Sequence, residues 1–334
     1  MLRTPSPDRP GSIEDLISPA LAAQLARVDL ASRRVFAGRL RGERRSKKRG
    51  ESVEFADHRP YTVGDDLRFI DWNIYARLDR LFLKMFLEEE DLSLHLVLDA
   101  SASMDCGEPG KFAFMQRLAA ALGYIGLVNY NRVTLTAIGG QTGETPVPLQ
   151  RSKTGETLGT SFNGRSGATD APAVSLRNLR GRRRVSEMGS WLCGLDPGAS
   201  ADFTSACKRI ALSRTGKGVM VVLSDFFFKE GYEDGLRLLV GRGYDVFAVQ
   251  ILSPQEIDPT LGGDLRLKDV EDADSAEVTI SRPLLDRYKN NLAAYCDGLR
   301  LFCARRDVMH LVTPSSAPVD TLVLDTLRRR GLLR

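Results

Sequence analysis

Asp99, Ser101 and Ser103 occupy alternate positions in "LHLVLDASASMDC", residues 94–106, directly behind an apolar run. In an extended segment positions i, i+2 and i+4 point the same way, so one carboxylate and two hydroxyls share a face. An all-oxygen set of this kind suits a hard divalent cation: magnesium takes six oxygens at about 2.0–2.1 Å and usually keeps several waters. A second apolar run, "VMVVLSDFFF", ends in Ser224 and Asp225. Between the two, "LDPGASADFTSACKRI" offers Ser200, Asp202 and Thr204 ahead of a helical pattern. Oxygens placed there cap the free amides of a helix start as readily as they coordinate a metal.

These acids need strands that end where they stand. Short apolar or β-branched runs recur at 94–98, 132–138, 218–224, 245–251 and 309–313, and helical patterns lie between them at 111–127, 203–212, 232–240, 283–304 and 319–330. Continuously apolar strands alternating with helices predict an α/β fold: a doubly wound, mostly parallel sheet with helices on both faces. In such sheets ligands bind outside the carboxyl ends of the strands, where Asp99 and Asp225 both fall. Residues 1–91 read as an N-terminal extension with a disordered start and then a few strands, and its "RLFLKMFL" stretch has to be buried somewhere. The remainder, 92–334, reads as the main domain. A Gly-, Ser- and Arg-rich insertion is expected at about 139–185, poor in the large apolar side chains that stabilise an ordered segment. Residues 265–280 read as a β-hairpin.

With 334 residues, 43% of them hydrophobic and 27% charged, the chain is globular material, and a net charge of +4 does not demand nucleic acid. The N-terminal residues have no apolar core of a secretory signal, and the longest apolar stretch, 118–128, falls well short of the roughly 20 residues of a membrane span. A cytoplasmic protein without a membrane span is expected. Five scattered cysteines with no C-x-x-C pair point to reduced thiols. The basic runs at 33–49 and 177–184 read as solvated loops.

Several chemistries fit poorly. A phosphatase with an Asp nucleophile after its first strand needs a second acid two residues on, where this chain has Ser101. "CGEPGKF", residues 106–112, lacks the spacing of a P-loop, and "GRGYDV", 241–246, precedes a strand. No G-x-S-x-G occurs, and of three histidines His95 reads as a sheet residue and His58 as a structural hydrogen-bonding group. Arg59, Asp65, Asp66, Arg68, Asp71, Trp72 and Arg77 read as a salt-bridged clasp, with direct partner binding as the alternative.

Together, "DASAS", a distant hydroxyl loop and "LSD" resemble the metal-ion-dependent adhesion site of von Willebrand factor A domains. The segment from Gly50 to Asp91 is similar to the signature of domain-of-unknown-function family 58, bacterial proteins with a von Willebrand A-like core. The resemblance implies a von Willebrand A-like domain, with Asp99, Ser101, Ser103 and Asp225 as metal-site residues and Asp225 acting through a water. At the third-loop position the family has Thr; this chain offers Ser200 or Thr204. The resemblance further implies Mg2+ or Mn2+ as the ion and a MoxR-type AAA+ ATPase as partner. The expected function is a metal-dependent protein-interaction module whose client offers a carboxylate, not an enzyme. The alternative is a divalent-metal-dependent phosphohydrolase or nuclease using the same Asp/Ser site, which would gather more carboxylates or a second metal.

Overall fold

The computed structural model describes residues 9–31, 54–63, 65, 67–87, 92–139, 141–142, 174–198, 202–213, 218–260, 263–268 and 275–334. The chain divides into two compact units, Leu40–Asp91 and the rest. In the smaller, β1 (Glu54–Pro60) pairs antiparallel with β2 (Phe82–Leu87) across a short helix, Trp72–Leu78. The apolar stretch expected to need burial is thus half of a two-stranded sheet. Asp71 caps the helix by accepting from the amides of Asn73 and Ile74, and its other oxygen meets His58 Nε2 at 3.0 Å. Arg59 pairs with Asp65 at 2.7 Å. His58 therefore has the structural role expected of it.

The larger unit is built on β3 (Ser93–Asp99), β4 (Arg132–Ile138), β5 (Gln141–Thr142), β6 (Val174–Leu179), β7 (Leu195–Asp196), β8 (Gly218–Ser224), β9 (Asp245–Leu252), the β10 (Gly263–Lys268) and β11 (Ser275–Ile280) hairpin, and β12 (Met309–Pro314). Six of these form one sheet in the order β12-β9-β8-β3-β4-β6, parallel except for β6. Side-chain alternation along β3 feeds two cores. Leu94, Leu96 and Leu98 join Met115, Leu118 and Leu122 of the helix Lys111–Val128, while Val97 faces Phe203, Ile210, Leu236 and Leu299 from three helices on the opposite face. The doubly wound, mostly parallel architecture is the expected one, consistent with a von Willebrand A-like layout.

Two expectations need correction. The first residues do not group with 40–91. The helices Ile13–Leu16 and Pro19–Leu25 put Leu16 and Leu25 into the core of the larger unit, and Leu30 forms an antiparallel bridge with Leu333. The reason is local: Ser12 and Ser18 cap these helices and Pro19 starts the second, which frees their apolar faces for packing. Residues 143–173 of the expected insertion lie outside the described residues, but its end is part of the sheet. Val174–Leu179 is the antiparallel edge strand, with Leu179 buried against the core, and the Arg182–Arg184 run is a single 3-10 turn leading into the helix Val185–Cys193. The 319–330 pattern is also interrupted, a short α-helix at Val319–Thr321 passing into a π-helical turn, Leu322–Leu327.

Candidate functional site

β3 and β8 are parallel neighbours at the centre of the sheet, and both end in the same layer. Asp99 closes β3, where its side chain is 2% exposed. Its Oδ1 accepts from the Ser101 amide at 3.0 Å and its Oδ2 from the Ser224 hydroxyl at 2.6 Å. Ser224 in turn accepts from the Phe226 amide at 2.8 Å, so the turn after β8 is tied to the acid of β3. Ser101 Oγ lies 2.9 Å from Ser103 Oγ, and Ser103 is the half-buried, outward member of the set. Burial first, then the charge of Asp225, pushes the Asp99 carboxyl up to about 6, against the pull of its Ser224 and Ser101 bonds.

Asp225 is held by a reversal of the chain. Phe226 has φ of +62°, a left-handed conformation that bulky residues seldom adopt, and its ring is clamped among Phe203, Phe228 and Tyr232. The Tyr295 hydroxyl donates to the Phe226 carbonyl from the long helix Arg282–Ala304. Aromatic packing thus fixes a backbone shape that aims the preceding acid. Asp225 Oδ1 accepts from the Phe227 amide at 3.1 Å, and Oδ2 receives Lys111 Nζ at 2.8 Å.

Lys111 is fully buried and also donates to Glu256 Oε1 at 2.7 Å. Glu256 Oε2 accepts from the Ser253 amide, part of a capping box in the turn after β9. Burial works against the lysine's charge; Asp225 and Glu256 more than offset it, and its pKa lies above the ordinary value. The loop that delivers Lys111 rests on that turn: Gln255 bonds the Glu108 amide and carbonyl. Gly107 at φ +89° approaches so closely that a Cβ there would lie 2.3 Å from Ser253 Cβ. Neither Lys111 nor Glu256 was singled out in the sequence. The available signal was a lysine opening a largely apolar helix, where the macrodipole disfavours a cation.

Asp99, Ser101, Ser103 and Asp225 are therefore brought together. The third loop starts beside them, since the Gly198 amide donates to the Ala100 carbonyl at 2.8 Å. Ser200 lies outside the described residues. Thr204 is half-buried in the first turn of the helix Phe203–Leu212 and is not among the hydrogen-bond partners of the cluster; that helix is capped by Asp202, which accepts from the Ser205 amide at 2.7 Å.

The donors fit a small hard cation. Oxygens at neighbouring corners of an octahedron with bonds of about 2.0–2.1 Å stand about 2.8–3.0 Å apart, and the two serine hydroxyls are already at 2.9 Å. Asp99 takes its donors from Ser101 and Ser224, and a carboxylate with about four lone-pair sites keeps capacity for an ion. Two carboxylates, Asp225 and Glu256, engage the one ammonium, and Asp99 adds a third acid beside Asp225, so the cluster holds more acids than cations among the described residues. Among the described residues no group of three or more His, Cys, Asp or Glu side chains is arranged to hold a metal ion, and any ion here would rely on the hydroxyls.

The chain is an α/β protein whose central, mostly parallel sheet carries an acid and hydroxyl cluster at the carboxyl ends of adjacent strands. Residues 57–158 and 152–295 match the family described as "Protein of unknown function DUF58", and the chain belongs to that family. It is 26% identical over 333 residues to "Uncharacterized protein Mb1516" of Mycobacterium bovis and to "Uncharacterized protein Rv1480" of Mycobacterium tuberculosis, covering 96% of this chain and 93% of each relative. Among solved structures it is similar to BatB of Bacteroides thetaiotaomicron at 12% identity and a TM-score of 0.40, over 71% of this chain and 98% of that one. A second, an aerotolerance-related membrane protein of Bacteroides fragilis, matches at 12% identity and a TM-score of 0.39, over 72% and 98%. In this chain, no helix among the described residues is long and apolar enough to cross a membrane.

Proposed function

We propose that the chain is a metal-dependent protein-interaction module of von Willebrand A type. Asp99, Ser101 and Ser103 would hold Mg2+ or Mn2+ directly, with Asp225 behind them and a hydroxyl of the third loop, Ser200 or Thr204, completing the protein's share. The ion supplies a positive point that accepts a carboxylate from a client protein in place of a water. The observation that carries the reading is the 2.9 Å hydroxyl pair beside a buried carboxylate at the end of the central strand. The role assigned to the chain is docking: it binds and orients, and no bond is made or broken. A MoxR-type AAA+ ATPase in the cytoplasm is the proposed partner, acting with this chain on assembly or maturation of the client.

A hydrolytic reading would call for more free carboxylates than docking does. A third acid, Glu256, does join the cluster, but Lys111 engages both Asp225 and Glu256, which leaves Asp99 without a cationic partner among the described residues. That pairing favours docking over phosphoester cleavage. The test is association of the purified chain with a MoxR-type ATPase from the same organism, with magnesium and with EDTA. Binding that requires the ion and is lost in Asp99→Ala supports the proposal. Binding indifferent to both, or metal-dependent turnover of a phosphate ester lost in the same variant, refutes it.

A further inference from the structure

Lys111 has a position that neither packing nor helix formation explains. A lysine at the first residue of a helix sits against the positive end of the dipole, and this one has also lost all contact with water. Its two carboxylates come from different strand ends, Asp225 after β8 and Glu256 after β9. Each Asp225 oxygen thereby has a partner, Oδ1 the Phe227 amide and Oδ2 the ammonium. Ser224, the residue before Asp225, bonds Asp99 across adjoining strands, so the two acids stand at neighbouring strand ends. An acid so close to a cation site would ordinarily turn toward the ion.

We propose that Lys111 is a resident cation that holds Asp225 away from the metal, leaving the bound ion short of anionic ligands and open to a carboxylate from outside. Lys111 is thus a positioning residue acting through Asp225. The inference rests on the reading of Asp99, Ser101 and Ser103 as a divalent-cation site, and it adds why that ion would seek a partner's acid. With the ammonium in place the ion keeps most of its charge and is held more tightly once a carboxylate arrives. Without the ammonium Asp225 becomes available to the ion, which no longer needs the partner.

The probe is magnesium alone, titrated by calorimetry into the full chain, the Lys111→Met variant and the double variant Lys111→Met/Glu256→Gln. The double variant removes one positive and one negative charge, so the formal charge of the cluster is that of the native chain and Glu256 is not left as a bare buried anion. Because ion affinity in oxygen sites follows the number of charged ligands, both variants are expected to bind magnesium at least about tenfold more tightly. Once loaded, they should take up acetate more weakly than the native chain does. A purely structural lysine would give no gain. Affinity in the double variant equal to or below the native value overturns the role of Lys111 while leaving the cation site standing. No magnesium binding in any of the three overturns both. Should the variants fold only when magnesium is present, that rescue is the same gain read as stability, and failure to fold even then counts against the proposal.

Discussion

The Ser224 hydroxyl donates to Asp99 Oδ2 at 2.6 Å, joining the ends of two strands that lie 125 residues apart in the chain. Because Ser224 also accepts from the Phe226 amide, one hydroxyl couples the Asp99 carboxylate to the reversed turn that carries Asp225. Replacing it by Ala strips a buried carboxylate oxygen of its donor and orphans a buried amide. Urea unfolding of Ser224→Ala should show a loss of about 1–3 kcal/mol. A midpoint within experimental error of the native chain would mean that this link is dispensable.

Asp99 also sets a pH dependence. Its folded pKa lies above the ordinary 3.8, at about 6, so its contribution to stability is full below pH 3.8 and is lost as pH rises through 6. In EDTA, the native chain should lose on the order of 2–3 kcal/mol relative to Asp99→Asn between pH 4 and pH 7. Chemical denaturation of both proteins at each pH checks it. Parallel stability profiles would show that Asp99 titrates normally.

Gly107→Ala should destabilise the loop that delivers Lys111. The residue is at φ +89°, and the new methyl would fall 2.3 Å from Ser253 Cβ, so backbone strain and overlap act together. A loss of at least about 1–2 kcal/mol in thermal or urea unfolding is expected. An unchanged midpoint would mean the loop can withdraw from the turn after β9.

Thiol chemistry separates the cysteines by burial. Cys106 and Cys303 are buried, with pKa pushed up to about 11 and about 12, and Cys207 higher still, burial being the main cause in each. An aromatic disulfide reagent at pH 8 should modify the half-buried Cys193 and Cys296 first and reach the other three only on denaturation. Fast labelling of Cys106 would show that the loop beside Ser103 opens.

The parts of the site visible in the sequence were those whose partners are neighbours along the chain. Asp99, Ser101 and Ser103 could be read together from their alternate spacing, although the strand stops at Asp99 and a 3-10 turn over Ala102–Met104, not continued alternation, sets the two hydroxyls side by side. Asp225 was legible because a second apolar strand stops at it. Lys111 and Glu256 could not, since the contact that gives them meaning spans 145 residues and each has a bland local reading, one as the start of a helix and the other as half of a capping box. The edge strand at Val174–Leu179 was hidden by its Gly-, Ser- and Arg-rich surroundings. The helices at Ile13–Leu16 and Pro19–Leu25 carried legible caps, but nothing in their sequence says which unit their apolar faces meet.

Magnesium calorimetry on the native chain and Asp99→Ala tests most directly whether the strand-end cluster holds a divalent cation through Asp99 and the two serines. One site per chain is expected for the native protein, weaker at pH 5 than at pH 7.5 because the carboxyl must be ionised to bind, with no detectable binding by Asp99→Ala and its circular dichroism unchanged. A native chain that takes up no magnesium or manganese, or a folded Asp99→Ala that binds as well as the native protein, would contradict it.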